Sequence, residues 1–225
     1  MIDLRCYVVT TGHGPDVVAK VAAAAGAGAG VVQVREKFLP ARELLRLTLE
    51  VGRAVHRANP ASRVVVNDRA DVAFAAMQES PWVHGVHLGQ DDLPPAAARA
   101  LLGPDAVIGL TTGTLAMVRA ADELAGVVDY LGSGPFRRTP TKDSGRQPVG
   151  LEGYPPMVAA TRLPIVAIGD VQPADAEALA GTGVAGVAVV RAVMGAEDPA
   201  AVVGEILRGF TRGAARPGGR GDSRA

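Results

Sequence analysis

Short runs of branched aliphatic residues recur along the chain, and longer Ala-rich stretches that favour helix separate them. Eight runs read as strands: Leu4–Thr10, Val31–Val34, Arg63–Asn67, Gly85–Leu88, Val107–Thr111, Tyr130–Gly134, Ile165–Ile168 and Val187–Val190. Such alternation predicts βα units around a buried parallel sheet. The run ends recur about 20 to 35 residues apart, around the spacing of ~30 residues that an eightfold barrel of ~250 residues implies. The pattern therefore predicts an α/β fold, a closed (β/α)8 (TIM) barrel rather than an open doubly wound sheet. Helix punctuation agrees with it. Pro94 and Pro95 follow Asp92 where a helix would begin, Pro173 and Asp175 open the run 174–180, and Gly181 is expected to cap it.

Polar residues gather where these runs stop. The loop Gly134-Pro-Phe-Arg-Arg-Thr-Pro-Thr-Lys142 offers hydroxyls, backbone amides and a lysine, an arrangement suited to an anion. Other runs end in Gln33-Val-Arg-Glu-Lys37, Asn67-Asp68, Gly89-Gln-Asp-Asp92, Gly109-Leu-Thr-Thr112, Gly169-Asp170 and Val190-Arg191. One polar group per strand end is how a parallel barrel builds an active site from residues distant in sequence.

Composition narrows the class further. With 225 residues, 48% hydrophobic, 20% charged and no formal net charge, the chain reads as one barrel domain over residues 1–210. Residues 211–225 lack any apolar side chain larger than Ala and read as a disordered tail. The charge balance argues against nucleic acid as a partner. No apolar run reaches the ~20 residues of a membrane helix, and the first residues lack a signal-peptide layout, so a cytoplasmic location without membrane partners is expected. Cys6 lies within the first apolar run and is expected to be a small buried hydrophobe. Aromatics are only 4%, so small and branched aliphatics must fill the interior.

The candidate chemistry is that of a polyanion site. Asp68 and Asp92 close successive strands, so their carboxylates would converge across the rim. Mg2+ commonly takes one or two carboxylates and leaves phosphate oxygens and water to complete its shell. Position alone allows the same two residues to be helix N-caps. Arg35, Lys37 and Lys142 would face the carboxylate pair across a diphosphate. Gln33, able to donate and accept, suits a heteroaromatic ring or a buried barrel hydrogen bond. Gly169, Asp170 and Val190 end the last two strands, where barrels often hold phosphate on backbone amides. The histidines His13, His56, His84 and His87 show no metal-ligand spacing beyond the His84/His87 pair, which straddles a strand start, and take no catalytic role in this reading.

With these residues in place, residues 4 to about 205 resemble the thiamine phosphate synthases. The resemblance rests on Gln33–Lys37, Asn67–Asp71, Gly85–Leu93, Thr139–Lys142, Pro164–Gly169 and Ala196–Pro199, six motifs in register with the strand ends. It implies a transferase that joins 4-amino-5-hydroxymethyl-2-methylpyrimidine diphosphate to a thiazole phosphate, with Mg2+, and releases pyrophosphate through a carbocation. It assigns Gln33, Arg35, Lys37 and Asn67 to the pyrimidine diphosphate, Asp68 and Asp92 to Mg2+, and Lys142 to the diphosphate. Thr111 stands where the family usually has serine. Arg35, Lys37, Thr111 and Lys142 thus carry the catalytic assignment. Thr139 and Thr141 match positions binding the thiazole phosphate, whose cradle would include Gly169, Asp170, Val190 and Arg191.

Four departures surround that cradle. Gly169-Asp170 replaces Gly-Gly, Arg191 replaces serine, Thr112-Gly113 replaces Thr-His, and Arg137-Arg138 replaces Phe-Pro. A thiazole tautomerase of the same barrel family and a non-catalytic barrel binding phosphate ligands are the competing readings. The first would not need the dicarboxylate, Lys37 and Lys142 together, and the second would not need a metal. The sequence leaves homo-oligomerisation open.

Overall fold

The computed structural model describes residues 2–138 and 147–215. Eight parallel strands close on themselves in chain order: β1 (Cys6–Val9), β2 (Val31–Val34), β3 (Arg63–Asn67), β4 (Gly85–Leu88), β5 (Val107–Thr112), β6 (Tyr130–Ser133), β7 (Ile165–Ile168) and β8 (Gly186–Val189). Pairing of Tyr7 with both Val31 and Ala188 closes the barrel. The expected strands are all present, and their bounds differ only at the ends, where pairing frays. Thr10, for instance, lies beyond β1, yet its N–H still donates to Gln33 O at 2.9 Å.

Helices alternate with the strands: α1 (Pro15–Gly26), α2 (Ala41–Ala58), α3 (Ala70–Glu79), α4 (Pro95–Leu102), α5 (Leu115–Asp122), α6 (Gly150–Ala159), α7 (Ala176–Gly181), α8 (Arg191–Met194) and α9 (Pro199–Ala214). In α2 the buried residues Leu44, Leu47, Thr48, Val51 and Val55 form the i, i+3, i+4 stripe that one buried helix face requires. Thr114 and Asp198 cap α5 and α9, accepting from Met117 N at 3.2 Å and Ala201 N at 3.0 Å.

The period of two along each strand divides the core. Cys6, Val8, Val32, Val64, Val66 and Val86 point outward beneath the helices, while Tyr7, Val9, Val31, Val65, Tyr130 and Val166 fill the barrel. Cys6 is buried as expected, and burial pushes its thiol up to about 12, which leaves it an inert hydrophobe. Gly109 is needed by this packing. A Cβ there would collide with the Tyr130 ring and with His87 Nδ1, so glycine is what lets two large polar side chains share the interior.

Two expectations are corrected. Gly181 lies inside the last turn of α7, and the left-handed residue that follows the helix is Gly183, at φ 90°. The ordered chain also continues past residue 210. Helix α9 runs to Ala214 because Gly213, like Phe210, is buried, and a side chain at Gly213 would strike the Glu177 carbonyl of α7. The absence of large apolar side chains, which read as disorder, here permits a close helix contact at Gly213.

Candidate active site

One pocket opens at the C-terminal ends of the strands, lined among others by Gln33, Arg35, Lys37, Asn67, Asp68 and Thr111. Gly169, Asp170, Val190 and Arg191 form its wall on the β7–β8 side. Asp92 stands beside the pocket rather than among its lining residues, and Thr139, Thr141 and Lys142 lie outside the described residues.

The cationic arm is clasped from below. The buried Thr10 hydroxyl accepts from Arg35 N at 2.8 Å, which ties the turn after β2 to the end of β1. Lys37 Nζ then lies 3.6 Å from Asp68 Oδ2. Asp68 has φ 63°, one of two non-glycine residues with positive φ among those described. Its N–H donates to His87 O at 2.8 Å, and the next residue, Arg69, donates to Asn67 O at 2.7 Å. The strand therefore ends in a tight left-handed turn. Positive φ is uncommon outside glycine, although Asp, like Asn, adopts it more readily than most residues, and such positions cluster at functional sites.

Asp92 meets Asp68 from the next strand end. Gly89 N–H donates to Asp92 Oδ2 at 2.6 Å. Burial raises the Asp92 carboxyl above its usual range, the Gly89 bond opposes that rise, and the neighbouring Asp68 adds to it through a shared hydrogen bond and like charge. Neither residue is a helix cap. Arg69 and Pro94 occupy the cap positions of α3 and α4, without a side-chain cap bond in either case. Among the described residues no group of three or more His, Cys, Asp or Glu could hold a metal by itself. Among the described residues, Asp68 and Asp92 bring two carboxylates together at this rim.

Below the mouth the barrel is polar. His87 bridges Tyr130 Oη and Thr111 Oγ1, both at 3.0 Å, and lines the pocket. Sequence reasoning set it aside with the other histidines. The available signal was the alternation in Gly85-Val-His-Leu: Val86 and Leu88 face the helices, which turns His87, the lone polar residue of the strand, into the barrel. Tyr7, Tyr130 and Thr10 were missed as well, because nothing local marks a hydroxyl inside an apolar run as inward-facing and paired.

At the other wall the unusual charges neutralise one another. Arg191 Nη2 bonds Asp170 Oδ1. Arg137 takes Asp175 in a two-pronged pair at 2.6 and 2.5 Å, and its guanidinium carbon lies 4.5 Å over the Phe136 ring. Asp170 is the second non-glycine residue at positive φ, 55°, and Gln172 Nε2 also reaches its Oδ1 at 3.3 Å. Arg137 and Arg191, two of the arginines that depart from the expected pattern, are therefore each held by an acid.

A (β/α)8 barrel whose mouth joins cations, a carboxylate pair and a buried hydroxyl chain is the architecture of an enzyme acting on phosphorylated substrates. The chain belongs to the thiamine monophosphate synthase family, which matches residues 6–193. It is 59% identical over 210 residues to a thiamine-phosphate synthase of Corynebacterium jeikeium, covering 93% of this chain and 96% of that protein. The identity to the Corynebacterium efficiens thiamine-phosphate synthase is 54% over 213 residues, with 94% and 97% covered. Among solved structures, a thiamine phosphate pyrophosphorylase from Pyrococcus furiosus superposes with a TM-score of 0.80 at 31% identity, over 93% of this chain and 96% of that one.

Proposed function

We propose that this chain condenses 4-amino-5-hydroxymethyl-2-methylpyrimidine diphosphate with a thiazole phosphate, giving thiamine phosphate and pyrophosphate. The carrying observation is the cluster at one wall, in which Lys37 faces Asp68 at 3.6 Å and Asp92 adjoins it, beside Arg35 and Asn67. Cations and carboxylates in contact suit a ligand that brings several negative charges together with a divalent cation.

In this reading Arg35 and Lys37 hold the diphosphate, and Gln33 and Asn67 orient the pyrimidine. Asp68 and Asp92 would hold Mg2+, which when bound supplies positive charge to the diphosphate. The bond between the pyrimidine methylene and the bridging oxygen breaks, pyrophosphate departs with the electron pair, and the thiazole nitrogen donates its lone pair to form the new C–N bond. No protein nucleophile is required, so positioning and charge stabilisation are the protein's main contributions. Lys142 is assigned to the same diphosphate, and Thr139 and Thr141 to the acceptor phosphate. Gly169, Asp170, Val190 and Arg191 complete that acceptor side.

The test is direct. Purified protein given both substrates and Mg2+ should release pyrophosphate in step with thiamine phosphate, and EDTA should stop it. Pyrophosphate release without coupled product, or none at all, would defeat the proposal.

A further inference from the structure

Five side chains from five strands form a continuous hydrogen-bonded chain across the barrel. Gln33 Nε2 lies 2.8 Å from Tyr7 Oη, which lies 2.8 Å from Tyr130 Oη. Tyr130 Oη lies 3.0 Å from His87 Nδ1, and His87 Nε2 lies 3.0 Å from Thr111 Oγ1. The two tyrosines between the ends are buried, while Gln33 and Thr111 both line the pocket.

Counting hydrogens gives this chain a direction. A hydroxyl has one hydrogen to donate, and an amide nitrogen only donates. With Gln33 donating to Tyr7, the Tyr7 hydrogen must go to Tyr130 and the Tyr130 hydrogen to His87 Nδ1. The imidazole proton is then on Nε2, where it donates to Thr111, and the Thr111 hydrogen is left to point into the pocket. With the amide held this way, a cationic imidazole, or a proton on Nδ1, would set two hydrogens against each other and strand the Tyr7 O–H without an acceptor. With the imidazole neutral, turning the Gln33 amide over reverses every bond. Tyr7 then donates to Gln33, His87 carries its proton on Nδ1, and Thr111 donates to His87 and can only accept from a ligand.

We infer that Tyr7, Tyr130 and His87 are positioning residues that couple the two ends of the chain, so that the hydrogen-bond role Gln33 takes toward a ligand sets the role of Thr111. For its ligand this inference rests on the proposed function. A ring amino group donating to Gln33 Oε1 holds the amide in the orientation that makes Thr111 a donor, the role a departing diphosphate oxygen can use. A ring with an acceptor in that place turns the amide and removes the donor, so recognition of the ring and stabilisation of the leaving group are one event.

Nitrogen-15 NMR of histidine-labelled protein tests the coupling without substrate, with His87→Gln assigning the signal. Because no turnover is read, failure here is distinguishable from failure of the pyrophosphate assay. The unsubstituted protein at neutral pH should show a neutral His87 with a single tautomer, its proton on Nε2. Gln33→Glu, ionised in a pocket that holds Arg35 and Lys37, gives Tyr7 only acceptors and should move the proton to Nδ1. Adding Tyr130→Phe cuts the chain and should make His87 indifferent to the change at position 33. A cationic imidazole or mixed tautomers in the unsubstituted protein, or the same tautomer before and after Gln33→Glu, would overturn the coupling. The first of these measurements stands even if a variant does not fold.

Discussion

The Lys37 ammonium faces the Asp68 carboxylate at 3.6 Å, and that carboxylate adjoins Asp92, so one cation meets two acids at the mouth of the barrel. One lysine cannot neutralise both. The uncompensated acid is what raises the Asp92 carboxyl beyond the effect of burial, and a divalent cation would relieve it. The left-handed turn at Asp68 holds this arrangement in place at a local conformational cost, which helix capping does not explain, since neither acid caps a helix.

Asp68→Asn and Asp92→Asn should therefore each lower turnover by roughly 100-fold, corresponding to ~3 kcal/mol of lost charge stabilisation, and weaken the response to Mg2+. Asn tolerates the left-handed region, so Asp68→Asn should leave thermal unfolding nearly unchanged. Near-parental rates across a Mg2+ titration in both variants would mean that the acids hold no metal.

At the opposite end of the barrel, His84 predicts a pH dependence of stability. Burial, then the positive charge of Arg63, hold its pKa at about 4 rather than the usual 6.5, and Val64 N–H donates to its Nδ1 at 3.0 Å. The folded protein thus keeps this imidazole neutral where the unfolded chain would protonate it. Its stabilising contribution is complete above ~6.5 and is lost progressively as pH falls toward 4. Urea midpoints at about pH 7.5 and about pH 5 should differ less in His84→Gln than in the parent. An equal difference in the two proteins would remove His84 from the acid response.

The barrel was legible because buried parallel strands need β-branched runs, and these stand out against Ala-rich helices. The polar strand ends were legible for the same reason: once Val34, Asn67 and Leu88 end their strands, Arg35, Asp68 and Asp92 must stand near one rim. The interior chain was not, because Tyr7 and Tyr130 meet across the barrel from strands far apart in sequence, and an inward tyrosine looks like any apolar residue in its run. One partnership at the β6–β7 rim was equally hidden. Arg137 and Asp175 are joined only after β7 has been placed between them. The end of α9 was misread because a lack of apolar side chains larger than Ala says nothing about whether a backbone is in solvent or pressed against α7.

Interior packing makes a separate prediction. Gly109→Ala inserts a methyl group where Tyr130 and His87 already fill the space. It should cost about 1–3 kcal/mol of stability, as overpacking does. Because His87 would have to shift away from Thr111, turnover should fall further than the loss of folded protein accounts for. Parental stability and activity together would show that the two side chains can move without consequence.

The Asp170–Arg191 pair predicts a coupling across the proposed acceptor side of the pocket. A carboxylate there would repel the acceptor's phosphate, and the structure turns Asp170 onto Arg191, whose side chain remains half exposed. Its guanidinium can hold the acid and still present N–H donors to a phosphate. Arg191→Ser alone leaves Asp170 unneutralised, so the Michaelis constant for the thiazole phosphate should rise strongly while that for the pyrimidine diphosphate changes little. Asp170→Gly removes the acid and relaxes the left-handed backbone at φ 55°. In that background Arg191→Ser should raise the same constant far less. The double-mutant cycle should show a coupling of at least ~0.5 kcal/mol, the lower range for residues in contact. If the two effects simply add, Arg191 acts on the acceptor without reference to Asp170, and the pair is a surface contact with no part in substrate choice.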